Sequence, residues 1–440
     1  MARRRRLVGR VLLGVVLVLV GAAVGGYWYV RPLLLTGTGY AAHNACALHY
    51  VAGRDDAASD LPPNPLVPYL RTTIGDDGSV STSVLGLFAR QTAWYTEGFG
   101  CTVAAQRLRF PTPAPIPSSN PIAEASAPDV VSPELAAALD DAFADGLGTR
   151  AVVVVKDGEL VAERYAEGFT EDTPQLGWSM AKSVTSLLVG RMVEQRAIDL
   201  TDTDLRPEWA RDERRDISVD DLLRMQSGLA WDETYDLGTA ITRMLYIDGD
   251  MAASAAAQPL EHAPGTVQQY SSGSTNIVCA ALLAKTRDGV NLPRVQLLAP
   301  LGISSAVWEA DAAGVPVCSS YLWATPRDWA AIGQFALDDG VVRGERLLPE
   351  GWMADATTNT TAQTREDENY GSGWWLNRNV DGSLAIPGLP EDAYWASGHD
   401  GQRLFVIPSE GLVIARLGFS PGVEGDHLEQ LAAAVTAALS

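Results

Sequence analysis

Twenty consecutive residues, Val11 to Val30, carry no charged side chain, and this run constrains its own fold more tightly than any other part of the chain. Inside a bilayer every backbone N–H and C=O has to be satisfied within the segment, so a lone span can only be an α-helix. Twenty apolar residues are enough to cross. Arg3, Arg4, Arg5, Arg6 and Arg10 precede the run, and Tyr27, Trp28 and Tyr29 close it. The basic end is therefore expected in the cytoplasm and the aromatic residues at the opposite interface, which puts the remainder of a single-pass chain outside the cell membrane. A cleaved signal peptide is the alternative, since Gly21, Ala22 and Ala23 could be cut, although the apolar run continues beyond them. Both readings export everything that follows.

The exported part is long enough to hold a full core: the chain has 440 residues, of which 47% are hydrophobic and 20% charged, a balance unlike that of disordered proteins. The first 31 residues hold six arginines and no acid, so the formal charge of −21 for the whole becomes −27 for the rest. A field of that sign repels polyanions and argues against nucleic acid or anionic lipid surfaces as partners. Cys46, Cys101, Cys279 and Cys318 lie in a compartment that permits disulfides. None of them has the short Cys or His spacing of a zinc site, and no metal or cofactor is expected.

Three regions are expected: residues 1–35 as the anchor, 36–129 as an extracytoplasmic region ending in a Pro-rich linker or extended wrap, and 130–440 as the main domain. Residues 36 to about 110 show no sustained periodicity and read as a small region stapled to itself by Cys46–Cys101. Cys279 and Cys318 either pair or stay as buried thiols. Prolines 111, 113, 115, 117, 121, 128 and 133 rule out regular helix over the linker. The main domain opens on a hairpin, Ala151 to Val155 and Leu160 to Tyr165 around Asp157-Gly158, and closes on another, Arg403 to Ile407 and Leu412 to Leu417. Asp426 to Leu439 reads as a final helix. Strands at both ends with helical pattern between them predict an α+β fold with an antiparallel sheet covered by helices.

Gly177-Trp178-Ser179-Met180-Ala181-Lys182-Ser183 opens an apolar segment containing Val184, Leu187, Leu188 and Met192, whose spacing is that of a buried helix. Ser179 and Lys182 are three residues apart and face the same way, which brings a hydroxyl and an amine within reach. The helix N-terminus can stabilise an oxyanion, and burial beside it lowers a lysine pKa, so the amine can take the serine proton. Ser-x-x-Lys is common by chance, but lysine is scarce here: Lys156, Lys182 and Lys285 stand against 30 arginines. Arginine cannot act as a base, so a lysine kept in an apolar helix points to a task requiring a deprotonatable amine, unless it is merely ion-paired.

Tyr270-Ser271-Ser272-Gly273, expected on a loop between helices, and Ser397-Gly398-His399-Asp400-Gly401-Gln402, leading into a strand, supply two further polar segments for the same cleft. Together with Leu222-Leu223-Arg224-Met225-Gln226-Ser227-Gly228-Leu229, Pro264-Gly265 and Tyr370-Gly371-Ser372-Gly373-Trp374-Trp375, these motifs resemble the β-lactamase-related serine hydrolases of class C type. The likeness is strongest to the branch that hydrolyses 6-aminohexanoate oligomers. The resemblance covers about residues 130 to 440 and implies a β-lactamase/DD-peptidase-like fold, a central antiparallel sheet flanked by helices plus a mostly helical subdomain, and an acyl-enzyme mechanism.

By the same resemblance Ser179 is the nucleophile, Lys182 its base and Tyr270 the acid and base for the leaving group. The backbone N–H groups of Ser179 and Gln402 form the oxyanion hole, with His399, Asp400, Gly401 and Ser272 contacting substrate. His399-Asp400-Gly401 stands where β-lactamases carry Lys-Thr-Gly, and Ser272 where they carry Asn. A neutral histidine does not replace a permanent cation for a substrate carboxylate, so a small ester, amide or short peptide-like substrate is expected over a β-lactam. Two alternatives remain: a penicillin-binding sensor or DD-peptidase that acylates without efficient turnover, and a Ser-His-Asp triad built from Ser179 and His399. His262 reads as structural, and Trp178, Tyr321, Trp374, Trp375 and Trp395 are either cleft walls or core packing.

Overall fold

The computed structural model describes residues 2–440 apart from 127, 129, 361, 365–368 and 424. Its first element is one helix, α1 (Ala2–Tyr50), with Pro32 inside it. Over Val11–Val30 its side chains lie mostly in the open, Leu17 at 62% and Trp28 at 62%, and the helix is long and apolar enough to cross a membrane. From Leu35 on its side chains are built into the protein, with Ala42, Cys46 and Ala47 fully enclosed. The helix therefore passes the expected boundary at residue 35 without stopping.

Residues 36–110 are more regular than their sequence pattern suggests. The second half of α1 packs on a four-stranded antiparallel sheet of β1 (Leu70–Ile74), β2 (Ser79–Val84), β3 (Phe88–Thr96) and β4 (Gly100–Val103), in that order. Cross-strand hydroxyl pairs explain why alternation is weak: Thr72 meets Thr82 and Ser81 meets Thr92, each at 2.8 Å. The expected Cys46–Cys101 disulfide forms across α1 and β4, with Cα atoms 6.1 Å apart. The Pro-rich stretch is a wrap held to the main body: Asn291 accepts from the Ala114 N–H, and Asn120 donates to Asp328 at 2.7 Å.

The main body is built on six antiparallel strands, β5 (Thr149–Lys156), β6 (Glu159–Tyr165), β7 (Trp375–Leu376), β8 (Tyr394–Gly398), β9 (Gln402–Ile407) and β10 (Leu412–Gly418). Their order is β7-β8-β9-β10-β5-β6, so the two predicted hairpins meet in the middle, where β10 pairs with β5. Alternate residues point to opposite faces of a strand. Val153, Val155, Leu404, Val413 and Ala415 pack towards the helices α3 (Met180–Glu194) and α5 (Pro326–Leu337). Val152, Val154, Phe405 and Ile414 pack towards α2 (Pro133–Ala142) and α6 (Gly425–Leu439). The helical subdomain contains short helices at Val219–Leu223, Ala240–Tyr246 and Met251–Ala256 and the longer α4 (Ser272–Lys285).

Candidate active site

Ser179 occupies the N-cap of α3, and Trp178 before it has φ +49°, a left-handed conformation that costs a bulky residue energy and persists only where packing imposes it. Gly398, at the end of β8, comes so close that an added Cβ would lie 2.1 Å from the Gly177 carbonyl oxygen. This contact sets the sheet edge against the serine turn.

One turn into α3, Lys182 is 1% exposed, and its Nζ reaches three oxygens: Ser179 Oγ at 3.0 Å, Ser272 Oγ at 2.8 Å and the Ser319 carbonyl at 3.1 Å. Ser272 in turn donates to Glu233 Oε1 at 2.5 Å, while its backbone N–H donates to Glu233 Oε2. Burial lowers the Lys182 pKa to about 8, against the opposing pull of Glu233, whose carboxylate lies 4.0 Å away. A neutral amine has two hydrogens and one lone pair. Ser272 and Ser319 are placed to accept the two hydrogens, which leaves the lone pair for the Ser179 hydroxyl.

Tyr270 stands over the same amine, its ring centroid 4.8 Å from Nζ, and stacks on Trp375. Burial holds its phenol well above the usual range, with a hydrogen bond to Ser179 pulling the other way, so the hydroxyl stays protonated. The structure thus brings together Ser179, Lys182 and Tyr270, with His399, Asp400 and Gly401 lining the same cleft of about 360 Å³.

Other expected positions differ in detail. Ser272 is fully buried in the first turn of α4, not in a loop, and is enclosed between Lys182 and Glu233 instead of facing the cleft. Gln402 opens β9 opposite Gly398, and its side-chain amide is spent on Gly418. His399 lies flat against Tyr235, 4.1 Å between centroids, and burial lowers its pKa to about 4. Its Nε2 faces Asp400 at 3.5 Å, whereas the amine hydrogen-bonded to Ser179 Oγ is that of Lys182, at 3.0 Å. Burial also raises the Asp400 pKa to about 7. Of the five aromatics, Trp375 lines the cleft, whereas Trp178, Tyr321, Trp374 and Trp395 are core.

Glu233, Tyr235 and Arg403 line the cleft without having been singled out from the sequence. Nothing local marks them: Glu233 is one of 54 acids. Cys279 and Cys318 pair, and this disulfide ties α4 to the segment that ends on the Ser319 carbonyl. Among the described residues no group of three His, Cys, Asp or Glu side chains is placed to hold a metal.

The family described as Beta-lactamase matches residues 136–437. The chain belongs to the beta-lactamase family of serine hydrolases. Within it, a 6-aminohexanoate-dimer hydrolase of Paenarthrobacter ureafaciens is 25% identical over 352 residues, 74% of this chain and 84% of that protein. Two solved beta-lactamase-like structures share the fold. A penicillin-binding protein homologue from Caulobacter crescentus superposes with a TM-score of 0.54 at 19% identity, covering 72% of this chain and all of its own. A family VIII carboxylesterase gives 0.54 at 17% identity, covering 70% and 99%.

Proposed function

We propose that the chain is a membrane-tethered, exported serine hydrolase that cleaves an ester or amide through an acyl-enzyme on Ser179. The observation that carries this reading is the enclosure of Lys182 Nζ by Ser179, Ser272 and the Ser319 carbonyl. As Ser179 Oγ bonds to the substrate carbonyl carbon, its proton passes to the Lys182 amine. Carbonyl oxygen charge is met by the Ser179 and Gln402 N–H groups. When the carbon–leaving-group bond breaks, the protonated Tyr270 donates to the leaving group and is reprotonated from Lys182. Water then enters by the reverse proton path and releases the acid. Arg403 offers the cleft a guanidinium, although stacked, neutral His399 stands in the place of the usual lysine.

Tethering is supported by the continuity of α1, which runs from the apolar segment into the folded body. The test is a panel of p-nitrophenyl esters, linear amides including a 6-aminohexanoate dimer, D-Ala-D-Ala peptides and a chromogenic cephalosporin, with intact-mass detection of a Ser179 adduct. Multiple turnovers of an ester or amide that vanish in Ser179→Ala support the reading. A stable adduct without turnover would instead identify a sensor, and fast cephalosporin hydrolysis a β-lactamase.

A further inference from the structure

Behind the cleft lies a second cavity of about 480 Å³ that shares Tyr235, His399, Asp400 and Gly422 with it. Its size falls within the roughly 300–1,000 Å³ of ligand pockets. The partition between the two is the stacked Tyr235–His399 pair. Much of the remaining wall comes from Gly37 and Tyr40 of α1, with Leu61, Leu66, Val67 and Leu70 just before and within β1. The lining also includes Asn64, Asp236 and Thr242. Gly37 follows Val30 by seven residues, about 10 Å along a helix, so the cavity begins close to the end of the apolar run.

A separate feature marks the same level. The turn between β2 and β3 presents Leu85, Leu87 and Phe88 to the outside, Leu87 at 82% exposure. This tip lies against α1 at its aromatic end: the Phe88 and Tyr27 rings are 5.5 Å apart, and the Ala89 N–H donates to the Tyr27 hydroxyl. Exposed apolar groups beside interfacial aromatics suit insertion among lipid headgroups and acyl chains. The tip also connects directly to the cavity wall, since Leu70 pairs with Val84 and the Leu85 N–H donates to the Tyr69 carbonyl. The apolar end of α1, the tip, the cavity, whose lining is mainly apolar but also holds Asn64, Asp236 and Thr242, and the serine cleft therefore adjoin one another in that order.

We infer that the substrate carries a long apolar chain supplied by the bilayer, that this chain fills the second cavity, and that its ester or amide carbonyl then reaches Ser179 past the Tyr235–His399 stack. The inference rests on the hydrolase reading above and specifies its substrate class. A neutral aromatic pair at position 399 fits this use, because an alkyl chain passes it without stranding a buried cation.

The full chain in phosphatidylcholine vesicles is assayed with p-nitrophenyl acetate, octanoate and vesicle-embedded palmitate. Octanoate is expected to exceed acetate at least tenfold in kcat/KM. Leu66→Trp and Val67→Trp, which fill the cavity, should bring octanoate down to the acetate rate while acetate stays within twofold and near-ultraviolet circular dichroism is unchanged. Leu87→Asp should slow embedded palmitate fivefold or more and spare octanoate. Octanoate within threefold of acetate overturns the inference, as does equal loss of both esters in the folded tryptophan variants. Palmitate turnover unaffected by Leu87→Asp overturns delivery from the bilayer. No turnover of any ester, acetate included, overturns the hydrolase reading instead.

Discussion

Lys182 is the residue whose chemistry can be tested most directly. Replaced by arginine it keeps its charge but cannot shed a proton near neutrality, so Lys182→Arg should lose on the order of a thousandfold in kcat, comparable to Ser179→Ala, with circular dichroism unchanged. Lys182→Met, uncharged and of similar length, separates the loss of the base from steric block by the guanidinium. Because burial depresses the lysine pKa to about 8, the active neutral amine increases with pH: kcat/KM should rise through that region and level off above it. Glu233 pulls the pKa upward, so Glu233→Gln should move the rise to lower pH, a shift that a purely structural role would not produce. Ser179 and Lys182 stand out in the sequence because a scarce lysine among arginines and a spacing of one helical turn are local signals, whereas Tyr270 is marked only by the resemblance of Tyr270-Ser271-Ser272-Gly273 to a family motif. Glu233 is not, because it reaches Ser272 from another loop and nothing near it distinguishes it from the other acids.

At the scale of elements, hairpins with apolar strands and turn residues, such as Asp157-Gly158, can be read directly, and β5, β6, β9 and β10 lie where the pattern puts them. The sheet at 70–103 escapes such a reading because serine and threonine satisfy one another across β1, β2 and β3. The lower half of α1 escapes it for another reason: small residues such as Gly37 and Gly39 let Leu66 and Tyr246 approach the helix closely, so no single stripe marks a buried face. The Cys46–Cys101 bridge fastens these two elements. Closing a 55-residue separation, its replacement by two serines should lower stability by about 4 kcal/mol on the chain-entropy estimate, measured by denaturant unfolding of the full chain in detergent. Replacing Cys279 and Cys318 should cost activity as well, since that bridge holds the turn bearing the Ser319 carbonyl.

For the whole molecule, the expected division at residue 35 falls inside a helix whose first half is an exposed apolar segment, long enough to cross a membrane, and whose second half is core. Removing residues 1–30 should leave a folded, active enzyme. Removing residues 1–50 takes out Cys46 and the helix under the small sheet, and should leave aggregated protein without activity, as gel filtration and ester hydrolysis would show. Under the proposed anchoring, the continuous helix, which runs through Pro32, would also act as a spacer with a phase. Each residue inserted after Val30 would lift the body by about 1.5 Å and turn it by about 100°, so seven added residues raise the serine by about 10 Å while nearly restoring its bearing, whereas two swing the opening to the far side of the shaft. On the proposed anchoring by α1, the serine works at one height and one compass direction, and the stretch of membrane in front of its opening is the territory it can reach.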